Sequence, residues 1–249
     1  MSEDRGERLR AQFESAPRAR AWPNQTPRDA ATLIIIDRRA ASPKVLMGRR
    51  HAGHKFMPGK FVFPGGRLEP GDRLIPSASE LRPETAASLT RRVVRRSAGR
   101  GRALALTAIR ETFEETGLLL GRRLATPKNP PADPAWRPFF ERGVWPDLDP
   151  VAFIGRAITP PRRPKRFDTR FFAVDREAIQ DEAPGVIGPE SELVELLWVD
   201  FAEARRLDLP SITFVMLDEL EHRIASGFQP DLPAPFYYER RGRSVREML

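Results

Sequence analysis

The sequence predicts an α+β fold in which a mixed β-sheet is sandwiched between helices, and three observations carry that expectation. Short β-branched and apolar runs stand both before and after one strongly amphipathic helical stretch. A second helical stretch follows near the end of the chain, and turns rich in Gly and Pro separate the strands.

Residues 1–30 are polar, with Arg and Pro scattered among them, and read as an N-terminal arm with room for one short helix. Residues 31–249 are expected to form a single domain. Thr32-Leu-Ile-Ile-Ile-Asp37 and Lys44-Val-Leu-Met-Gly48 read as two strands joined by a turn, and Lys60-Phe-Val-Phe63 as a third, stopped by Pro64, Gly65 and Gly66. Residues 73–100 carry Pro76, Pro83 and a polar helical pattern through Arg92, and Gly99 and Gly101 close the segment. The clearest helix runs from about Arg102 to Thr116 and ends on Gly117. From Thr126 to Pro150 the chain is Pro-rich, with a short helix expected around Trp136 to Arg142. Strands are expected at Val151 to Ile158, Arg170 to Val174 and Leu193 to Val199. Ile212, Val215, Met216 and Leu220 recur at helical spacing and predict a C-terminal helical extension over Ser211 to Ala225, after which the tail from Phe228 reads as irregular.

Composition narrows the function. A chain of 249 residues with 40% hydrophobic content can bury an ordinary core as one main domain, and its 25 Pro and 17 Gly are dispersed, not repeated. Cysteine is absent, which excludes disulfides, zinc-thiolate sites and a cysteine nucleophile. The charged start lacks the apolar core of a signal peptide and no stretch approaches the roughly 18 apolar residues of a membrane span, so a soluble cytoplasmic protein without a membrane partner is expected. The net charge of +8 is almost entirely Arg and accompanies Ala and Pro richness, so it reads as compositional bias. No helix-turn-helix or aromatic RNA-binding pattern accompanies it, which argues against nucleic acid as a partner.

The helix over Ala105 to Gly117 carries the chemistry. At about 100° per residue, Glu111, Glu115 and Glu114 fall at roughly 0°, 40° and 300°, while Leu106, Ile109 and Phe113 fall between roughly 160° and 220°. One face is therefore core and the other a dense anionic patch. Like charges at this spacing repel by a few tenths of a kcal/mol per pair. Arg110 can neutralise Glu114, but a hard divalent cation satisfies carboxylate oxygens more completely and keeps positions open for phosphate and water. A merely solvated acidic face is the plain alternative.

The surrounding residues decide between the two. Phe61-Val-Phe-Pro-Gly-Gly-Arg-Leu-Glu-Pro-Gly-Asp72 followed by Arg110-Glu-Thr-Phe-Glu-Glu-Thr-Gly-Leu118 resembles the Nudix box, G-x5-E-x7-R-E-U-x-E-E-x-G-U with U apolar. Gly66 takes the first glycine, and Arg110, Glu111, Glu114, Glu115, Gly117 and Leu118 take their places in the second half. Asp72 stands where the first glutamate belongs, and Thr112 replaces an apolar residue. Between Asp72 and Arg110 lie 37 residues instead of seven, an insertion at about 73–101. A Nudix branch that includes a peroxisomal coenzyme A diphosphatase is similar in its long insertion within the box and its wording Arg-Glu-Thr-Phe-Glu-Glu. The similarity extends from about Thr32 to Phe201 and takes in Lys165-Arg-Phe-Asp-Thr-Arg-Phe-Phe172.

The resemblance implies a Nudix fold and a hydrolase that splits a diphosphate linkage in a small-molecule substrate with Mg²⁺ or Mn²⁺. It implies Glu111, Glu114 and Glu115 as metal ligands and catalytic groups, with Arg110 orienting them. Gly65 and Gly66 would let the backbone pass close to the metal and substrate, and Arg166, in the basic stretch Pro160 to Arg166, is a candidate phosphate contact. The general base is left open between a box glutamate and the later acids Glu190 and Glu192. Coenzyme A or its acyl esters are the best single candidate for the substrate, and ADP-ribose, NADH, nucleotide sugars and dinucleoside polyphosphates stay open. So do a non-catalytic binding module on the same fold and a homodimer. His51 and His54, just before the box, and the basic run Arg91 to Arg96 can each touch substrate or sit on a plain solvated surface. Asp168 reads as a turn or strand-start residue, and Trp198 as core.

Overall fold

The computed structural model of the chain describes residues 2–14, 21–54, 57–93, 97–125, 131–229 and 232–249. Lys55 beside His54, the second half of the basic run 91–96 and residues 126–130 of the Pro-rich segment lie outside the described residues. The chain begins with helix α1 (Ser2–Glu14), followed by strands β1 (Arg28–Asp37), β2 (Lys44–Arg50), β3 (Phe61–Val62) and β4 (Gly65–Arg67). Helix α2 (Pro83–Leu89) leads to the long α3 (Ala98–Thr116), and β5 (Leu118–Leu120), β6 (Arg122–Arg123), α4 (Arg137–Glu141) and β7 (Val144–Trp145) follow. The second half holds β8 (Ala152–Ile158), β9 (Phe167–Asp175), β10 (Ile179–Glu182) and β11 (Leu193–Asp200). Helices α5 (Phe201–Ala204) and α6 (Ser211–Ala225) then precede β12 (Pro235–Arg240) and β13 (Arg243–Met248).

The main sheet is mixed, in the order β11-β2-β1-β9-β8-β12-β13, with β3 paired to β2 and β4 paired to β1. β1 runs parallel to β9 from Arg28↔Phe167 to Ile36↔Asp175. Its side chains alternate, Leu33 and Ile35 into one core and Ile34 and Ile36 into the other, all with no exposed area. A strand apolar on both faces needs cover on both, and the two cores supply it. Leu104, Leu106 and Ile109 of α3 pack on the first face, and Val215, Met216 and Leu220 of α6 pack on the second with Leu9 and Phe13 of α1. The architecture is the expected mixed sheet sandwiched between helices. No helix among the described residues is long and apolar enough to cross a membrane.

One feature of the sheet sets the stage for chemistry. β1 exchanges neighbours along its length, pairing with β4 from Ala30↔Arg67 to Thr32↔Gly65 and with β2 at Ile36↔Val45 and Asp37↔Lys44. β2 likewise leaves β1 and takes up β3 at Gly48 and Arg49. The sheet therefore forks, and β3 and β4 stand in the fork.

The structure departs from the sequence-based expectations at three places. Gly65 and Gly66 do not simply stop a strand but form β4, because without side chains this segment can lie against β1, where a Cβ on Gly65 would come within 2.5 Å of the Ala31 carbonyl oxygen. Gly99 and Gly101 do not close the preceding segment but lie inside α3, and a Cβ on Gly101 would sit 3.1 Å from the Leu89 side chain, so the glycine admits α2 closely. The tail is not irregular. β12 and β13 form a hairpin from Pro235↔Met248 to Arg240↔Arg243, turned by Arg241 and Gly242, both at positive φ.

Candidate active site

The site is built from the polar face of α3. Leu106 and Ile109 are buried against the sheet, and Phe113 packs edge-on against Phe139 at 5.2 Å between ring centres. That side fixes the helix rotation and turns Glu111, Glu114 and Glu115 toward β4. Thr112, at a place where an apolar residue was expected, is fully buried and donates its hydroxyl to Ala108 O at 2.7 Å, so its polarity is satisfied within the helix. Gly117 ends the helix in the left-handed region at φ 78°, its N–H donating to Phe113 O at 2.7 Å.

Contact with the fork is close. A Cβ on Gly66 would lie 2.4 Å from the Glu111 carboxyl group, so only glycine lets that carboxylate rest on the strand. The Gly65 N–H donates to Glu115 Oε2 at 3.1 Å. Asp72, standing for the glutamate of the motif, is buried and grips Arg110, whose Nε and Nη2 donate to it at 2.8 and 3.1 Å. Thr107 Oγ1 donates to the same carboxylate at 2.8 Å. The insertion thus leaves both halves of the motif in contact. Arg110 also reaches Glu114 at 2.7 Å, Glu111 at 3.1 Å and Arg67 O at 2.9 Å, so a single guanidinium ties four groups together.

The charges are held under tension. Burial, with added repulsion from Glu114 and Asp72, brings the Glu111 carboxyl up to about 7 against the pull of Arg110. Burial raises Glu115 well above the usual carboxylate range, and the charges of Glu192 and Glu111 push the same way. Burial also raises Glu114, though less, since it is exposed and paired with Arg110. Burial by itself disfavours the Arg110 charge, but Asp72, Glu111 and Glu114 outweigh it and hold the guanidinium above its ordinary value.

Of the two later acids, it is Glu192 whose charge reaches Glu115. Arg50 holds it, donating Nη2 to Glu192 Oε1 at 2.8 Å and contacting His54 Nδ1 at 3.0 Å. His54 Nε2 lies 4.0 Å from the same Glu192 oxygen. Arg50 Nε is buried and meets no acceptor among the described residues. Sequence reasoning passed over Arg50, whose only signal was a charged residue closing an apolar strand directly before two histidines. His51 Nδ1 accepts from the Gly53 N–H at 3.0 Å.

Other candidates lie apart. The Arg166 guanidinium donates to Thr159 O, Asn24 Oδ1 and Gln25 O at 3.0, 2.8 and 2.5 Å, so it ties the segment before β1 to the end of β8 and is not directed at α3. Asp168 is more than a strand-start residue. It is buried and accepts a bidentate pair from Arg156 at 2.7 Å, beside Arg170 at 2.9 Å. Arg156 in turn donates to Arg92 O at 3.1 Å, binding the insertion to the sheet. Trp198 is partly buried against the core beneath α3, with the Arg176 guanidinium 4.8 Å above its ring.

No family model matches the chain, and no curated protein does. Solved structures do. A Nudix hydrolase from Alicyclobacillus acidocaldarius is 31% identical, with 78% of this chain and 90% of that one covered and a TM-score of 0.59. More distant are the Nudix domain of Shewanella oneidensis NrtR in complex with ADP ribose, at 12% identity, 86% and 97% coverage and a TM-score of 0.44, and a MutT protein from Bacillus halodurans, at 14%, 89% and 94%, and 0.44. Fold and site thus define a hydrolase acting on phosphorus-containing anhydrides. The chain belongs to the Nudix hydrolase family.

Proposed function

We propose that this chain is a divalent-metal-dependent diphosphatase whose substrate is coenzyme A or an acyl-coenzyme A, with α3 and the fork as its active site. The observation that carries the reading is the pressing of two carboxylates, Glu111 and Glu115, onto the Gly65-Gly66 backbone at a place where burial opposes their charge. Added positive charge would favour the ionised form of both groups, and their donor set, hard carboxylate oxygens, suits Mg²⁺ or Mn²⁺. Among the described residues no group of three or more acidic or imidazole side chains forms a ready cage for a cation.

Glu111, Glu114 and Glu115 would hold the metal, which when bound supplies neutralisation of charge on the phosphoryl oxygens. Arg110 keeps Glu111 and Glu114 in place from behind, braced by Asp72, while the Gly65 N–H holds Glu115. Glu192, aligned by Arg50, is the candidate acceptor for the proton of the attacking water, since it is exposed where Glu115 is buried.

Product analysis by mass spectrometry tests the reading, with coenzyme A, ADP-ribose, NADH and a nucleotide sugar each incubated with protein and Mg²⁺ or Mn²⁺. Metal-dependent cleavage of coenzyme A to paired phosphomonoesters is expected, together with at least a hundredfold loss in Glu115→Gln. Near-normal turnover by that variant would overturn the site assignment, and preferential cleavage of another compound would overturn the substrate.

A further inference from the structure

Beside the carboxylate face of α3 stands a second arrangement, built by the end of β2 and the turn that follows it. Arg50, the last residue of β2, pairs in register with Leu193 of β11, which brings it next to Glu192. The His51 N–H donates to Glu192 O at 3.0 Å, and the His54 N–H donates to His51 O at 3.1 Å. A single turn therefore holds the main chain of Glu192 and carries the His54 ring to the Arg50 guanidinium. The charges of Glu192 and Arg50 both act on Glu115, in opposite senses, which sets the pair within electrostatic reach of α3.

Chemistry fixes which atoms hold the protons. A guanidinium can only donate, so at 3.0 Å from Arg50 Nη2 the His54 Nδ1 is the acceptor, and the neutral ring carries its proton on Nε2. Nη2 has two hydrogens, one for His54 and one for Glu192 Oε1 at 2.8 Å. The ion pair thus runs through one carboxylate oxygen, and Glu192 Oε2 has no partner among the described residues. Arg50 Nε, which is buried, has none there either. The two-pronged grip that arginine ordinarily takes on a carboxylate, through Nε and Nη2 to both oxygens, is not made.

We infer that His54 is a positioning residue of the hydrolysis: by taking one Nη2 hydrogen it keeps Arg50 from closing on both oxygens of Glu192 and leaves Oε2 open to the attacking water. As the water oxygen bonds to phosphorus and the bridging P–O bond breaks, Oε2 takes the water's proton and the departing phosphate oxygen keeps the bonding pair. Without the ring, the buried Nε–H gains an acceptor by turning onto Glu192, and a carboxylate held at both oxygens is a weaker base. The inference rests on Glu192 as the proton acceptor of the reaction proposed above.

Steady-state kinetics in Mg²⁺ test it, with whichever of coenzyme A, ADP-ribose, NADH and the nucleotide sugar the protein cleaves fastest. His54→Ala should lower kcat by about tenfold, the weight of one hydrogen bond to a charged group, and leave KM within about twofold. The rise in its Tm on adding Mg²⁺ should match wild type, which separates positioning from loss of the fold or of the metal. His54→Asn sets an amide oxygen where Nδ1 stood and should recover most of the rate. Lysine cannot fork, so in the Arg50→Lys protein the further change His54→Ala should cost nothing. An unchanged kcat in His54→Ala, a change in KM alone, an equal loss in His54→Asn, or a loss that persists beside Arg50→Lys overturns the inference. Glu192→Gln tells its failure from that of the reading beneath it. Full turnover in that variant, or no cleavage of any of the four compounds by the unaltered protein, removes the reading and the role of His54 with it. A large loss in Glu192→Gln with none in His54→Ala overturns the positioning role alone.

Discussion

Glu115 is buried, accepts from the Gly65 N–H, and feels the charges of Glu192 and Glu111. A cation bound there relieves that repulsion and acts as a ligand of the folded state alone. At a hundredfold excess over its Kd, Mg²⁺ should therefore stabilise the wild-type protein by about 2.7 kcal/mol and Glu115→Gln by far less, as read from Tm. Equal shifts in both proteins would place the metal elsewhere. Asp72 invites a different test. Removing it in Asp72→Ala leaves the Arg110 charge buried without its main partner, which should cost about 3–5 kcal/mol in denaturant titration. Restoring the motif glutamate with Asp72→Glu adds a methylene to a filled site, at about 1–3 kcal/mol. A neutral Asp72→Ala would mean that Glu111 and Glu114 suffice to hold Arg110.

At the level of elements, α3 was the most legible part of the chain, since a 3.6-residue period of apolar positions and a terminal glycine are local signals. Its start was not. Gly99 and Gly101 look like a break, yet one sits in open space and the other under Leu89. Gly99→Ala should stabilise the protein by about 0.5 kcal/mol, while Gly101→Ala should gain less or lose, because Leu89 must give way. Thermal melts of the two variants check this, and the reverse order would contradict the packing of α2 on α3. The C-terminal hairpin was missed for a related reason. Its strand Pro235–Arg240 begins with proline, and its buried aromatic residues, Phe236 and Tyr237, are adjacent in sequence, one facing each core. A strand buried on both faces shows no alternation to read.

Across the whole molecule, the ion cluster of Asp168, Arg156, Arg170, Asp29 and Arg100 joins β9, β8, β1 and the start of α3. Burial would raise the Asp168 carboxyl, but the Arg156 hydrogen bonds and the Arg170 charge win and hold it below 3.8. Burial draws Arg170 down to about 10, still charged at neutral pH. A depressed carboxylate stabilises fully above its unfolded value and loses that stabilisation as the pH falls through the folded one. Asp168→Asn should therefore melt below wild type by a constant margin from pH 7 down to 3.8, and the margin should close at lower pH. A margin that widens on acidification would contradict the assignment.

By itself, the sequence determined what local spacing can encode. It set the carboxylate face of α3, the two-sided apolar β1, the glycines on which Glu111 and Glu115 rest, and the family to which the motif points. Only the tertiary structure decided which distant residues meet. Asp29 and Arg170 are 141 residues apart, and Arg49 and Glu195, which mark the β2–β11 junction where Arg50 finds Glu192, are 146 apart. Those meetings depend on strand order and register, and a one-residue slip would send each of these side chains to the opposite face. The fork arises the same way, because β1 can change partners from β4 to β2 only once both strands have been brought to it from different parts of the chain.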